Sequence, residues 1–225
     1  MPERFPTPSK EAIALLEPFE RLDMPDIALV ATAREAEHAL AELAAAGVLG
    51  FDTESKPTFA RNEVSGGPHV VQLATVRRAF IFQLHDARCS ALVGELLAAE
   101  SVVKVGFGLG DDRRRITSKL GVEPRGVLDL NSLFWRRGYR KDMGVKGAVA
   151  VMFNRRFIKS RKATTSNWAQ PRLTEAQLVY AANDAYAALR VFHALEAQAA
   201  GDGPYSEVRS VQISGNNTTS SILRR

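Results

Sequence analysis

The apolar positions of the chain fall into two rhythms. Short runs at 27–30, 48–53, 70–75, 80–84 and 102–105 are rich in Val, Leu, Ile and Phe and are bounded by polar or turn-forming residues, the pattern of β-strands. Val76, Arg77, Arg78 and Ala79 separate two of these runs in hairpin fashion. Between the runs lie alanine- and leucine-rich stretches of helical period. Thr32 and Glu35 form a capping-box pair ahead of a helix to about Ala46, and 90–100 is helical in pattern. From about Asp111 onward the chain predicts mainly helices, with a short strand at 127–130. The last helix is the best defined. Thr174 and Gln177 form a second capping box, and Leu173 and Leu178 sit at the staple positions around it. Leu178, Ala182, Ala185, Leu189 and Phe192 mark its core-facing stripe, and Gly201 is its stop.

Adjacent strands first, then a strand alternating with helices, predict an α/β fold: a mixed sheet flanked by helices in a single domain over 26–200. Residues 1–25, punctuated by proline with a short helix from Lys10 to Leu16, form an N-terminal extension. Residues 201–225 are rich in Ser, Thr, Asn and Gly without sustained periodicity and predict a disordered tail.

Composition narrows the classes. A hydrophobic fraction of 45% and a charged fraction of 24% in 225 residues are ordinary for a soluble globular domain. The one cysteine, Cys89, excludes a disulfide framework and a multi-cysteine zinc site. No stretch approaches the roughly 20 apolar residues that cross a bilayer, and no signal-peptide core stands near Met1, so no membrane association and a cytoplasmic location are expected. The net charge of +5 is unevenly spread. Between Trp135 and Arg172 stand eleven basic residues and a single acid, Asp142, so this segment carries +10 and the rest of the chain −5. Such clustering suits a face that binds a polyanion, and Arg155, Arg156, Arg161 and Lys162 are its candidate contacts.

Three acidic motifs carry candidate chemistry. Asp52 and Glu54 end an apolar strand; alternation points both the same way, roughly 7 Å apart along the strand. Two such carboxylates repel unless a cation lies between them, and hard divalent ions prefer carboxylate oxygens. Tyr180 and Asp184, four apart in the capped helix, share one face. Asp111 and Asp112 follow a strand and a glycine-rich turn, where an acid also suits a helix N-terminus. Gly106, Gly108 and Gly110 do not make a dinucleotide loop, because G-x-G-x-x-G requires a small residue where Asp111 stands.

In this order the motifs resemble the DEDD superfamily of 3′→5′ exonucleases. The similarity runs through much of 27–200. It includes Phe51 to Glu54, Val105 to Asp112, Thr165 to Trp168 and Leu173 to Tyr186. Within the superfamily the chain looks like the ribonuclease D group, and most like the exonuclease domain of the Werner syndrome protein and bacterial relatives. Tyr180, four residues before Asp184, indicates the tyrosine branch. The resemblance implies a ribonuclease H-like fold and two Mg²⁺ or Mn²⁺ ions held by Asp52, Glu54, Asp112 and Asp184. Asp112 is favoured over Asp111, which is left as a cap or supporting residue. Tyr180 would orient the attacking water. Single-stranded or recessed-end nucleic acid is the implied partner, DNA ahead of RNA. The alternatives are a ribonuclease D-like RNA-processing enzyme and a catalytically silent nucleic-acid-binding protein on the same fold. The loop 61–68, with Gly66 and Gly67, is expected to approach the terminal nucleotide. Trp168 is expected to pack rather than stack on a base.

Overall fold

Strand alternation and capping account for most of the architecture seen in the computed structural model, which describes residues 5–58, 66–139 and 141–201. Six strands among these residues form one sheet: β1 (Ile27–Val30), β2 (Val48–Glu54), β3 (Val70–Ala74), β4 (Ala79–Gln83), β5 (Val103–Gly106) and β6 (Val127–Asp129), ordered β1-β4-β3-β2-β5-β6. β2, β3 and β4 form an antiparallel meander. β1 joins β4 in parallel on one side, and β5 and β6 continue parallel to β2 on the other. β3 and β4 are buried throughout, as strands covered on both faces must be. Their turn is held by Thr75, whose hydroxyl accepts from the Arg77 and Arg78 amides at 3.3 and 3.2 Å.

Helices α2 (Ala33–Ala46), α3 (Ala87–Ala98) and α4 (Gly110–Leu120) cover one face of the sheet, against Leu49, Phe51, Val71, Leu73 and Phe82. The Thr32–Glu35 capping box starts α2 as expected. α3 begins three residues earlier than its apolar pattern, because the Asp86 carboxylate caps it by accepting from the Cys89 amide at 2.6 Å. Lys104 is fully buried in β5 and directs its ammonium at the Ala99 and Val102 carbonyls, both at 2.8 Å, tying the end of α3 to the sheet. Burial pulls its pKa down to about 8.

The other face is dominated by α8 (Glu175–Gly201), with α5 (Asn131–Arg136), α6 (Gly144–Phe153) and α7 (Arg161–Thr164) beside it. The predicted stripe from Leu178 to Phe192 is buried along its whole length. The segment before β1 belongs to this layer. After α1 (Lys10–Ala14), Phe19 and Leu22 enter the core, and Asn183 of α8 clamps the Leu22 backbone through bonds of 2.8 and 3.0 Å. None of the described helices is long and apolar enough to cross a membrane. The tail predicted beyond Gly201 lies outside the described residues.

Candidate active site

The site exists because one helix backbone lies directly on one strand. A Cβ built on Gly50 would stand 1.9 Å from the Ala185 carbonyl oxygen, so only glycine lets α8 approach β2 this closely. Alternation along β2 then puts Asp52 and Glu54 on the same face as Gly50. Asp184, next to Ala185, comes down between them. One carboxylate oxygen from each of Asp52, Glu54 and Asp184 lies within 4.8 Å of the others. Tyr180, one turn before Asp184, is buried beside them. The Thr174–Gln177 capping box sets where this helix starts, with the Thr174 amide donating to Gln177 Oε1 at 3.0 Å and the Gln177 amide to Thr174 Oγ1 at 3.3 Å.

Asp112 reaches the cluster from α4. Its carboxylate accepts from the Thr53 hydroxyl, between the two acids of β2. Asp111 faces away, its side chain 66% exposed and paired with Arg114. It neither caps α4, which begins at Gly110, nor touches the other acids. The glycine turn is there for geometry. A Cβ on Gly106 would lie 2.3 Å from the Phe51 carbonyl, and Gly108 adopts φ +70°. Asp129, at the end of β6, fixes the start of α4 by accepting from the Leu109 amide at 3.1 Å.

Four acids converging in a half-buried site raise one another's proton affinity. Burial, then Asp184, Asp112 and Glu54, lift Asp52 well above the carboxylate range. Burial and Asp184 push Glu54 to about 8. Burial raises Asp184 against the opposing pull of Lys159, and burial raises Asp112 against its bond from Thr53. Tyr180 is raised by burial and by the charge of Asp184. Such a set could hold a divalent cation, because the crowded negative charge that opposes loss of protons here is what a metal would neutralise. Asp184 Oδ1 is buried without a partner, which also fits a metal ligand.

Lys159 is the residue that charge counting did not single out. Its ammonium lies 2.6 Å from Asp184 Oδ2 and 5.0 Å above the Tyr180 ring. Burial would lower its pKa, but Asp184 and Tyr180 outweigh that and raise it. Its place depends on the segment after α6 folding back onto the N-terminal segment. The Phe19 amide donates to the Arg156 carbonyl at 2.9 Å and the Arg156 amide to the Glu17 carbonyl at 2.7 Å. The Arg156 guanidinium donates to the Ala14 carbonyl at 2.7 Å, so this predicted nucleic-acid contact is committed to the fold. Arg155, Arg161 and Lys162 are exposed, the first lying four residues before Lys159 and the other two on α7 just after it. Trp168 is fully buried, its ring 5.9 Å from that of Tyr180, in the packing role expected. Most of the loop 61–68 lies outside the described residues. Gly66 is open, but Gly67 is buried against Ser55, so its backbone does not present an unobstructed approach.

Known proteins share this framework. The Nibbler EXO domain of Aedes aegypti superposes with a TM-score of 0.67 at 22% identity, covering 81% of this chain and 92% of that one. Ribonuclease D of Trypanosoma brucei gives a TM-score of 0.67 at 22% identity, covering 74% and 63%. In sequence, a 3′-5′ exonuclease of Arabidopsis thaliana is 25% identical over 150 residues, 66% of this chain and 52% of that protein. The chain thus spans about half the length of that relative, and 29% of an exonuclease mut-7 homolog of Aedes aegypti. The mixed six-stranded sheet flanked by helices is the ribonuclease H-like fold of these domains. Residues 27–200 match the 3′-5′ exonuclease family, and the chain belongs to it.

Proposed function

We propose that this domain removes nucleotides from the 3′ end of nucleic acid by divalent-metal-dependent hydrolysis of the terminal phosphodiester. The observation that carries the proposal is the meeting of Asp52, Glu54 and Asp184 within 4.8 Å, with Asp112 close enough for its charge to raise Asp52. Asp52, Glu54 and Asp184 would hold one Mg²⁺ or Mn²⁺ ion, and Asp52 with Asp112 a second. Such a pair supplies an activated water and neutralises the charge that develops on the leaving oxygen. Tyr180 would orient that water through its hydroxyl; with a pKa raised by burial it stays protonated and would act as a hydrogen-bond donor and acceptor, not as a base. Lys159 supplies the positive charge nearest Asp184.

The strand is held, on this reading, by Arg155, Arg161 and Lys162. A cavity of about 490 Å³, walled by Phe19, Phe157, Ile158 and Val179, adjoins Tyr180 and offers apolar surface to a base. DNA is the favoured substrate and RNA the alternative, since the chemistry is on the phosphodiester common to both. A silent binding role is the weaker reading: four mutually repelling acids burden a fold that needs only a basic face.

The test is digestion of 5′-labelled DNA and RNA strands with free 3′ hydroxyls in Mg²⁺ or Mn²⁺. The wild type should give a descending ladder. Asp52→Ala and Asp184→Ala should lose about a thousandfold in rate, several kcal/mol at about 1.4 kcal/mol per tenfold. Asp111→Asn should retain activity. Full cleavage by Asp184→Ala would remove the site from the reaction.

A further inference from the structure

Buried side-chain polar atoms without a hydrogen-bond partner, among the described residues, are Ser55 Oγ, Trp168 Nε1, Asp184 Oδ1 and both polar atoms of the Gln72 carboxamide. They are not scattered. Ser55 follows Glu54, Trp168 packs on Tyr180, and Asp184 belongs to the cluster. Gln72 is the most exceptional, being fully buried in the middle of β3 with its whole amide unpaired.

Register places that amide. Gln72 is the direct cross-strand partner of Asp52, and its other partner is Ile81. Cross-strand partners share a sheet face, with Cβ atoms about 5 Å apart. Gln72 therefore stands on the α8 face next to Asp52, with Val70, Ala74 and Ile81 as its other neighbours in the sheet, all apolar and buried. An unpaired amide among such neighbours destabilises a fold, and a leucine or methionine would fill the same space without that cost. Breaches of this kind concentrate where function requires them. An amide also has the right chemistry for its place. It donates a hydrogen bond to a carboxylate without adding a positive charge that would compete with a cation.

We infer that Gln72 is a positioning residue for Asp52: its amide, without a partner in this structure, is the uncharged donor beside the Asp52 carboxylate, and it turns to that carboxylate when the site takes a divalent ion, holding it in the gripping orientation. This rests on the proposed metal-dependent activity. It concerns a residue outside the acidic motifs, acting through a ligand and not touching substrate.

The experiment compares the wild-type chain with Gln72→Met and Gln72→Leu, two shapes without the amide. Three quantities are read: the melting temperature without divalent ions, Mn²⁺ affinity by calorimetry, and kcat and KM on a 3′-hydroxyl oligonucleotide. At least one variant should melt no lower than wild type while Mn²⁺ affinity falls 10- to 100-fold. Its kcat should fall with an unchanged KM. Mn²⁺ affinity within twofold of wild type overturns the inference, and so does a lowered melting temperature in both variants, which assigns Gln72 to packing. If the wild type itself neither binds Mn²⁺ nor cleaves, the proposed function fails first, and that outcome is distinct.

Discussion

Replacing Lys159 by Met keeps most of the aliphatic stem in place and removes the ammonium that sits 2.6 Å from Asp184 Oδ2. The Asp184 side chain is 2% exposed and that of Lys159 26%, so the pair is largely shielded from solvent. Removing one partner of a buried pair costs about 3–5 kcal/mol, because the other charge is left uncompensated. The partial exposure of Lys159 argues for the lower end, about 3 kcal/mol. For a domain of this size that lowers the melting temperature by about 6–12 °C.

The loss should depend on pH and on metal in a direction the site dictates. Folded Glu54 keeps its proton to about pH 8, against an ordinary 4.5. At about 1.4 kcal/mol per tenfold in proton affinity, its ionisation alone opposes the fold by about 5 kcal/mol. A carboxyl raised in the folded state contributes stability that is complete below its ordinary value and lost as pH rises through the raised one. Without divalent ions the protein should therefore melt highest near pH 5 and lower at pH 8. The deficit of Lys159→Met should be wider at pH 8 than at pH 5, where Glu54 carries its proton and less negative charge is left facing the missing ammonium. Saturating Mn²⁺ should raise the variant's melting temperature more than the wild type's, since the ion supplies the missing positive charge. Thermal melts by circular dichroism at both pH values, with chelator and with Mn²⁺, give all four comparisons. Equal melting temperatures at pH 8 in chelator would refute the reasoning, as would an identical Mn²⁺-induced rise in the two proteins.

Two further outcomes follow from the geometry. Gly50→Ala places a Cβ against the Ala185 carbonyl and forces α8 off β2; it should lower the melting temperature by about 5–10 °C, as overpacking of about 2–3 kcal/mol does, and weaken Mn²⁺ binding in calorimetry because Asp184 moves with the helix. Neutralising Arg161 and Lys162 together should flatten the dependence of log affinity on log salt by about 1.4 for a single strand, measured by fluorescence anisotropy with the inactive Asp184→Ala protein, whereas an unchanged slope would remove both from the binding face.

Which parts of the site could be read from the chain follows from how local each relation is. Asp52 with Glu54, and Tyr180 with Asp184, are set by the periods of one strand and one helix, so their sharing of a face was legible before any coordinates. Asp112 against Asp111 was harder. Their separation depends on the phase of α4, and that phase is set by Gly106, Gly108 and the bond from Leu109 to Asp129, 20 residues on in the chain. The closeness of α8 to β2 was not legible, because nothing in the neighbourhood of Gly50 distinguishes a glycine under a helix from one in an ordinary strand. Basic charge was legible only as a sum. Lys159, Arg156 and Lys162 count equally in the segment's +10, yet the first balances Asp184, the second donates to Ala14 and the third lies exposed on α7. What separates them is a contact with residues 14–19, more than 130 positions away, and no local pattern encodes a partner that distant. Composition can therefore announce a polyanion-binding face, but only the fold decides which of its charges remain available to a polyanion.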